Sequence, residues 1–156
     1  MICVPVIFRM KKEKLNLLVL TFALLLTTGC SSFNREWKAT AAAPPAPGSI
    51  EGAWVGTWLS DHNGHHGGLR AIITKLDTDR YHTRFHATYM KILTFGQAVD
   101  LDVRQDGTNF TFSGAADLGK AYGGLYQYKG NSSPNGFYST YNCSIDNGTF
   151  RMKRPE

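Results

Sequence analysis

Three dipeptides, Asn63-Gly64, Asp106-Gly107 and Asn147-Gly148, each stand between segments in which apolar and polar residues alternate. Asn-Gly and Asp-Gly accept the backbone of a tight hairpin, and alternation marks a strand with one buried face. Eight strands are predicted, near 53–60, 67–76, 80–91, 95–105, 108–114, 121–129, 136–144 and 147–154. Two-residue turns then fix a register and therefore a face. Val103 is expected opposite Phe110 and Leu101 opposite Phe112; Trp58 opposite Leu69 and Trp54 opposite Ile73; Ile145 opposite Phe150 and Cys143 opposite Met152. In each pairing apolar meets apolar.

The third strand alternates Tyr81, Thr83, Phe85, Ala87 and Tyr89 with His82, Arg84, His86 and Thr88, and the first set is expected inside. In the sixth, Tyr122, Tyr126 and Tyr128 are placed inward. Consecutive antiparallel strands with one wet face bury the other by closing on themselves, which also removes exposed edges. The expected fold is an all-β, eight-stranded antiparallel up-and-down barrel. An open β-sandwich of the same strands is the alternative.

Gly56-Thr57-Trp58 on the first strand resembles the Gly-x-Trp signature of the calycins, the barrels that include lipocalins, avidins and fatty-acid-binding proteins. The resemblance implies that Trp58 closes one barrel end, against a basic residue near the last strand, Arg154 or Arg151. It carries fold and a structural role for Gly56, Trp58 and Arg154, and no ligand.

The N-terminal third reads differently. Met10-Lys-Lys-Glu-Lys, the apolar run from Leu15 to Leu26 and Thr27-Thr28-Gly29-Cys30 have the order of an export signal, and the run is shorter than the ~20 residues that cross a bilayer. The junction resembles the lipobox of bacterial lipoproteins, with Thr27 where Leu is usual. This resemblance implies a signal peptide over 1–29, lipidation of Cys30, and attachment to the envelope membrane through that lipid. Ser31 next to it implies the outer membrane in a host that has one. Residues 30–50, ending Ala-Pro-Pro-Ala-Pro-Gly-Ser-Ile, are expected to form an extended tether. The barrel then occupies 51–156.

Charge and cysteine content narrow the function classes. Of the formal net charge of +5, four bases and one acid precede Cys30, which leaves +2 and no electrostatic footprint for nucleic acid. Of 3 cysteines, Cys3 falls in the signal, Cys30 is the lipidation candidate and Cys143 stands alone, so the barrel holds by its core and not by a disulfide. Gly119-Lys120-Ala-Tyr-Gly123-Gly124 lacks the spacing of a phosphate loop, and no cofactor is implied.

Two candidate sites remain. Asp61, His62, His65 and His66 crowd the first hairpin and offer ligands to Zn or Cu, although exposed hairpin tips collect such residues for turn geometry alone. Tyr81, Phe85, Tyr89, Tyr126 and Tyr128 would line an apolar cavity if the interior aromatics do not fill it. The adjacent Ser60, Asp61 and His62 do not amount to a triad, which is defined by spatial roles. The expected function is a non-enzymatic, lipid-anchored barrel that presents its loops or open end to a ligand or an envelope protein. A metal-binding module or an apolar small-ligand carrier is the alternative.

Overall fold

The computed structural model describes residues 28–156. The chain divides into two compact units, Met1–Arg35 and Glu36–Glu156, and the second contains the whole sheet. The basic stretch and the apolar run of the expected signal lie outside the described residues. The first described element is a helix, α1 (Thr28–Ala42), which passes through Cys30. The expected tether is thus helical over much of its length. Glu36, Lys38 and the alanines are good helix formers, and Pro44, Pro45 and Pro47 stop the helix only after Ala42.

Eight strands follow: β1 (Gly52–Ser60), β2 (His66–Lys75), β3 (Arg80–Tyr89), β4 (Leu93–Asp106), β5 (Asn109–Asp117), β6 (Leu125–Ser133), β7 (Gly136–Asn142) and β8 (Asn147–Lys153). Each pairs antiparallel with the next, and β1 pairs with β8, so the sheet closes as an up-and-down barrel. Closure decides between barrel and sandwich, and the architecture is consistent with a calycin-like fold. The buried interior runs from Trp54 and Ile73 through Leu101, Phe112 and Phe137 to Phe85, Tyr128 and Phe150.

The registers differ from those expected, by even steps. Val103 faces Phe112 and Trp54 faces Ala71, each a shift of two residues. Met152 faces Phe137, six positions from the expected Cys143, because Cys143 and Ile145 belong to a loop that Asn142 and Asn147 close. A slip of one residue would have turned every side chain over; even slips keep the face. Leu101, Val103, Phe110, Phe112 and Phe150 are accordingly buried, while Ile145 is exposed.

One end of the barrel is closed by a different Gly-x-Trp from the one expected. Trp54, of Gly52-Ala53-Trp54, is fully buried, and the guanidinium of Arg154 lies 3.9 Å from its ring centroid. Arg154 donates to the carbonyls of Glu51 at 2.7 Å and Ser49 at 2.9 Å. The Trp54 indole donates to the carbonyl of Ile50 at 2.9 Å. Ile50, expected as the last tether residue, is therefore part of the barrel plug. Gly52 has φ 106, a left-handed-side conformation that disfavours a Cβ, and one placed there would stand 3.1 Å from Arg154 Nη1. Trp58 instead lies toward the opposite end, half-buried, and donates to the carbonyl of Thr88 at 3.2 Å. Gly56 is a mid-strand residue whose role is close approach of β1 to β8.

The outer face is dry in one area. Residues 36–42 of α1 lie in the same unit as the barrel: Glu36 pairs with Arg84, Arg70 lies over the Trp37 ring at 5.4 Å, and the Trp37 indole donates to the carbonyl of Trp54 at 3.1 Å. The outward residues Ala53, Ile72 and His86 are buried there. His86, expected on the wet face, is only 6% exposed. His82, on the same strand face, is half-exposed and bonds Asp100 through Nδ1 at 2.7 Å.

Burial, and then the charge of Arg70, push the His86 imidazole below its ordinary value of 6.5. The unfolded chain therefore takes up that proton more readily than the folded one. Stability from this group is complete above the unfolded value and is lost as pH falls below 6.5 toward the folded value. His86→Gln is expected to flatten the wild-type loss of stability in that window, measured by urea unfolding at a series of pH values. An unchanged slope would mean that His86 is not held neutral.

Candidate functional site

The connections at the end opposite Arg154 are residues 61–65, 90–92, 118–124 and 143–146. The third contains a short 3₁₀ turn, Lys120–Tyr122, and the fourth carries Asp146. Leu59, Met90, Ile92, Leu93, Phe95, Tyr122, Leu125 and Ile145 are large apolar residues left exposed, and all stand on these connections or on the adjoining strand ends. Among the described residues, Leu76 at the closed end is the one further member of that class. Exposed apolar residues scattered singly are ordinary; their concentration at one end marks an interaction surface.

Within this rim is a cavity of about 130 Å³, lined by Trp58, Phe85, Phe95, Tyr126, Tyr141 and Phe150, with Ala87, Gln97 and Asp146. Beneath it the rings pack on one another. Phe85 stands 5.1 Å from Phe150 and 6.0 Å from Tyr128, and Tyr141 stands 5.0 Å from Phe150. Among the described residues these rings fill the waist of the barrel, and the cavity lies near this mouth.

Asp146 is the carboxylate in the cavity lining. Its carboxylate accepts from the hydroxyl of Ser60 at 2.6 Å and from that of Tyr141 at 3.0 Å. Ser60 is almost fully buried, and its hydroxyl is turned toward Asp146. Burial in the first place, then for Tyr126 the neighbouring Cys143 and Asp146 and for Tyr141 the nearby Asp146, push both phenols far above their ordinary range. They remain neutral hydroxyls at any physiological pH.

Of the five candidate cavity residues, Phe85 and Tyr126 line the cavity, and Tyr128 lies buried below it, 6.3 Å from Tyr126. Tyr89 stands beside the mouth, 6.0 Å from Trp58 and 4.9 Å from the His65 ring. Tyr81 is a correction: it sits near the closed end, where β3 begins, because the cavity occupies only the far end of that strand. Tyr122 is on the exposed 3₁₀ turn and not inside.

Asp61, His62, His65 and His66 are all exposed, His66 pairs with Leu59 in the ladder, and the His65 ring lies against Tyr89. Among the described residues no three His, Cys, Asp or Glu side chains group so as to hold a metal ion. Asn63 accepts from the His65 amide at 2.9 Å and the Gly64 amide donates to the Ser60 carbonyl, bonds that close the turn.

Asp146 and Gln97 are cavity residues that the sequence reading missed. Asp146 stands in a loop where the sequence predicts strand and turn, and no local spacing links it to Ser60, 86 residues away. Neither a protein-family model, nor a curated protein, nor a solved structure matches the chain.

Proposed function

We propose that this protein is a non-enzymatic binding module of the bacterial envelope, and that its open barrel end takes up the apolar part of a ligand or partner. The observation that carries this reading is the gathering of eight exposed large apolar residues around the aromatic cavity. The cavity volume of about 130 Å³ favours insertion of one ring or one short branched group over enclosure of a whole drug-sized molecule, which takes roughly 300 Å³ or more. The rest of the ligand would lie on the rim.

A neutral fluorescent probe, N-phenylnaphthylamine, tests this. It is expected to bind saturably and to quench Trp emission, Trp58 being a wall of the cavity. Ala87→Phe, which puts a ring into that space, is expected to weaken uptake by about tenfold while the fold persists, since one buried aromatic group is worth about 1.5–3 kcal/mol. Uptake that Ala87→Phe leaves unchanged would place the binding surface elsewhere.

Lipid attachment belongs to the same reading. The lipobox-like Thr27-Thr28-Gly29-Cys30 supports a covalent anchor at Cys30 in the envelope membrane, the outer one where there are two. Incorporation of labelled palmitate in a bacterial host is expected for wild type and absent in Cys30→Ser. Equal labelling of the two would remove Cys30 from that role.

A further inference from the structure

We infer that the mouth cavity is a site for an organic ammonium group, quaternary in preference to primary. This deepens the open-end reading and rests on it. Six aromatic rings wall the cavity and a single carboxylate, Asp146, stands at its edge. Aromatic faces carry partial negative charge and attract a cation within about 6 Å, the more strongly where water is excluded.

The electrostatics of the site lack their positive half. Among the described residues no ion pair involves Asp146, whose two oxygens are held by the neutral hydroxyls of Ser60 and Tyr141. No Lys, Arg or His lines the cavity. An anion would meet this carboxylate unfavourably, and a neutral apolar group would leave its charge uncompensated.

Size and hydrogen-bonding capacity select the quaternary form. A cavity of roughly 150 Å³ holds one benzene ring, and the 130 Å³ here suits a group of about that bulk, such as trimethylammonium. A primary ammonium brings three donors that need acceptors, whereas a quaternary one brings none and spreads its charge over methyl groups that fit against rings. A chain attached to the nitrogen would leave over Phe95, Leu93 and Ile92, which are exposed at the rim.

The test compares choline with dimethylbutanol, its neutral carbon isostere, on the full chain, with Trp quenching as the readout. Choline is expected to bind about tenfold more tightly than the isostere, the gain of one favourable cation–π and carboxylate site. Asp146→Asn is expected to weaken choline by a similar factor and leave the isostere unchanged. The wild-type comparison stands even if that variant folds poorly. Dodecyltrimethylammonium, below its micelle concentration, distinguishes the sources: tighter binding than choline assigns the head group to a chain-bearing amphiphile, equal binding to a free small cation. Equal affinity for choline and its isostere, in protein that still takes up N-phenylnaphthylamine, would overturn the cation site and leave open-end binding intact. Failure of all four probes would overturn both.

Discussion

Trp54→Ala is expected to lower the unfolding free energy by about 3–5 kcal/mol, the usual loss for truncating a large buried aromatic. Its side chain is inaccessible, its ring packs 5.7 Å from Phe137, and the Arg154 guanidinium lies over the ring at 3.9 Å. Removing the indole also leaves the Ile50 carbonyl without its donor and the half-buried Arg154 without the ring that faces it. Trp58→Ala is expected to cost less, since Trp58 is half-buried and borders the cavity. His82→Ala, at a half-exposed hydrogen bond to Asp100, should cost under about 1 kcal/mol. Urea unfolding of the three variants checks the order. A greater loss at Trp58 than at Trp54 would restore Gly56-Thr57-Trp58 as the barrel-closing motif.

Gly56→Ala is the second large effect, for a steric reason. A Cβ on Gly56 would stand 2.0 Å from the carbonyl oxygen of Arg151 and 2.6 Å from Cα of Met152, both backbone atoms of β8. No rotamer relieves such a contact; the strands that close the barrel must move apart. A loss of about 3 kcal/mol is expected, at the upper end of overpacking effects. Gly68→Ala is the control, because a Cβ there meets nothing within 4 Å and its φ lies outside the left-handed region. That change should stay within about 1 kcal/mol of wild type, the scale of removing glycine's backbone freedom. Similar losses at the two positions would mean that β1 and β8 are not in this close register.

The strand pattern was legible because it depends on period alone. Tyr81, Phe85, Phe110, Phe112, Phe137, Tyr141 and Phe150 alternate with polar residues and are all buried. Their pairing partners were less legible, since a turn dipeptide locates a hairpin without saying which residues are its centre. Gly107 has φ 60 and is the first residue between the paired Asp106 and Asn109, not the second as expected. The β7–β8 connection runs through Cys143 to Asp146, and Asn147-Gly148 falls inside the ladder.

Other features depend on contacts remote in sequence. Two Gly-x-Trp triplets follow one another in β1 with identical spacing, and the burial of Trp54 and the position of Arg154 over it distinguish them. His86 alternates as an outward residue should, and its burial follows from what lies on that face, which strand period does not encode. The helix through residues 28–42 was obscured by the prolines that follow it. At the mouth, Phe85 and Tyr126 could be named from the strand pattern, whereas Asp146 enters the site through a hydroxyl at the far end of β1.

The most direct test of the open end as the binding surface is nuclear magnetic resonance mapping of backbone amides and the Trp58 indole on addition of N-phenylnaphthylamine. Shifts are expected at Trp58, residues 89–95, Tyr122, Tyr126 and residues 143–146, with Trp54 and the Arg154 end unmoved. Shifts centred on Trp54, Arg154 or the outer face beside Arg70 and Arg84 would contradict it.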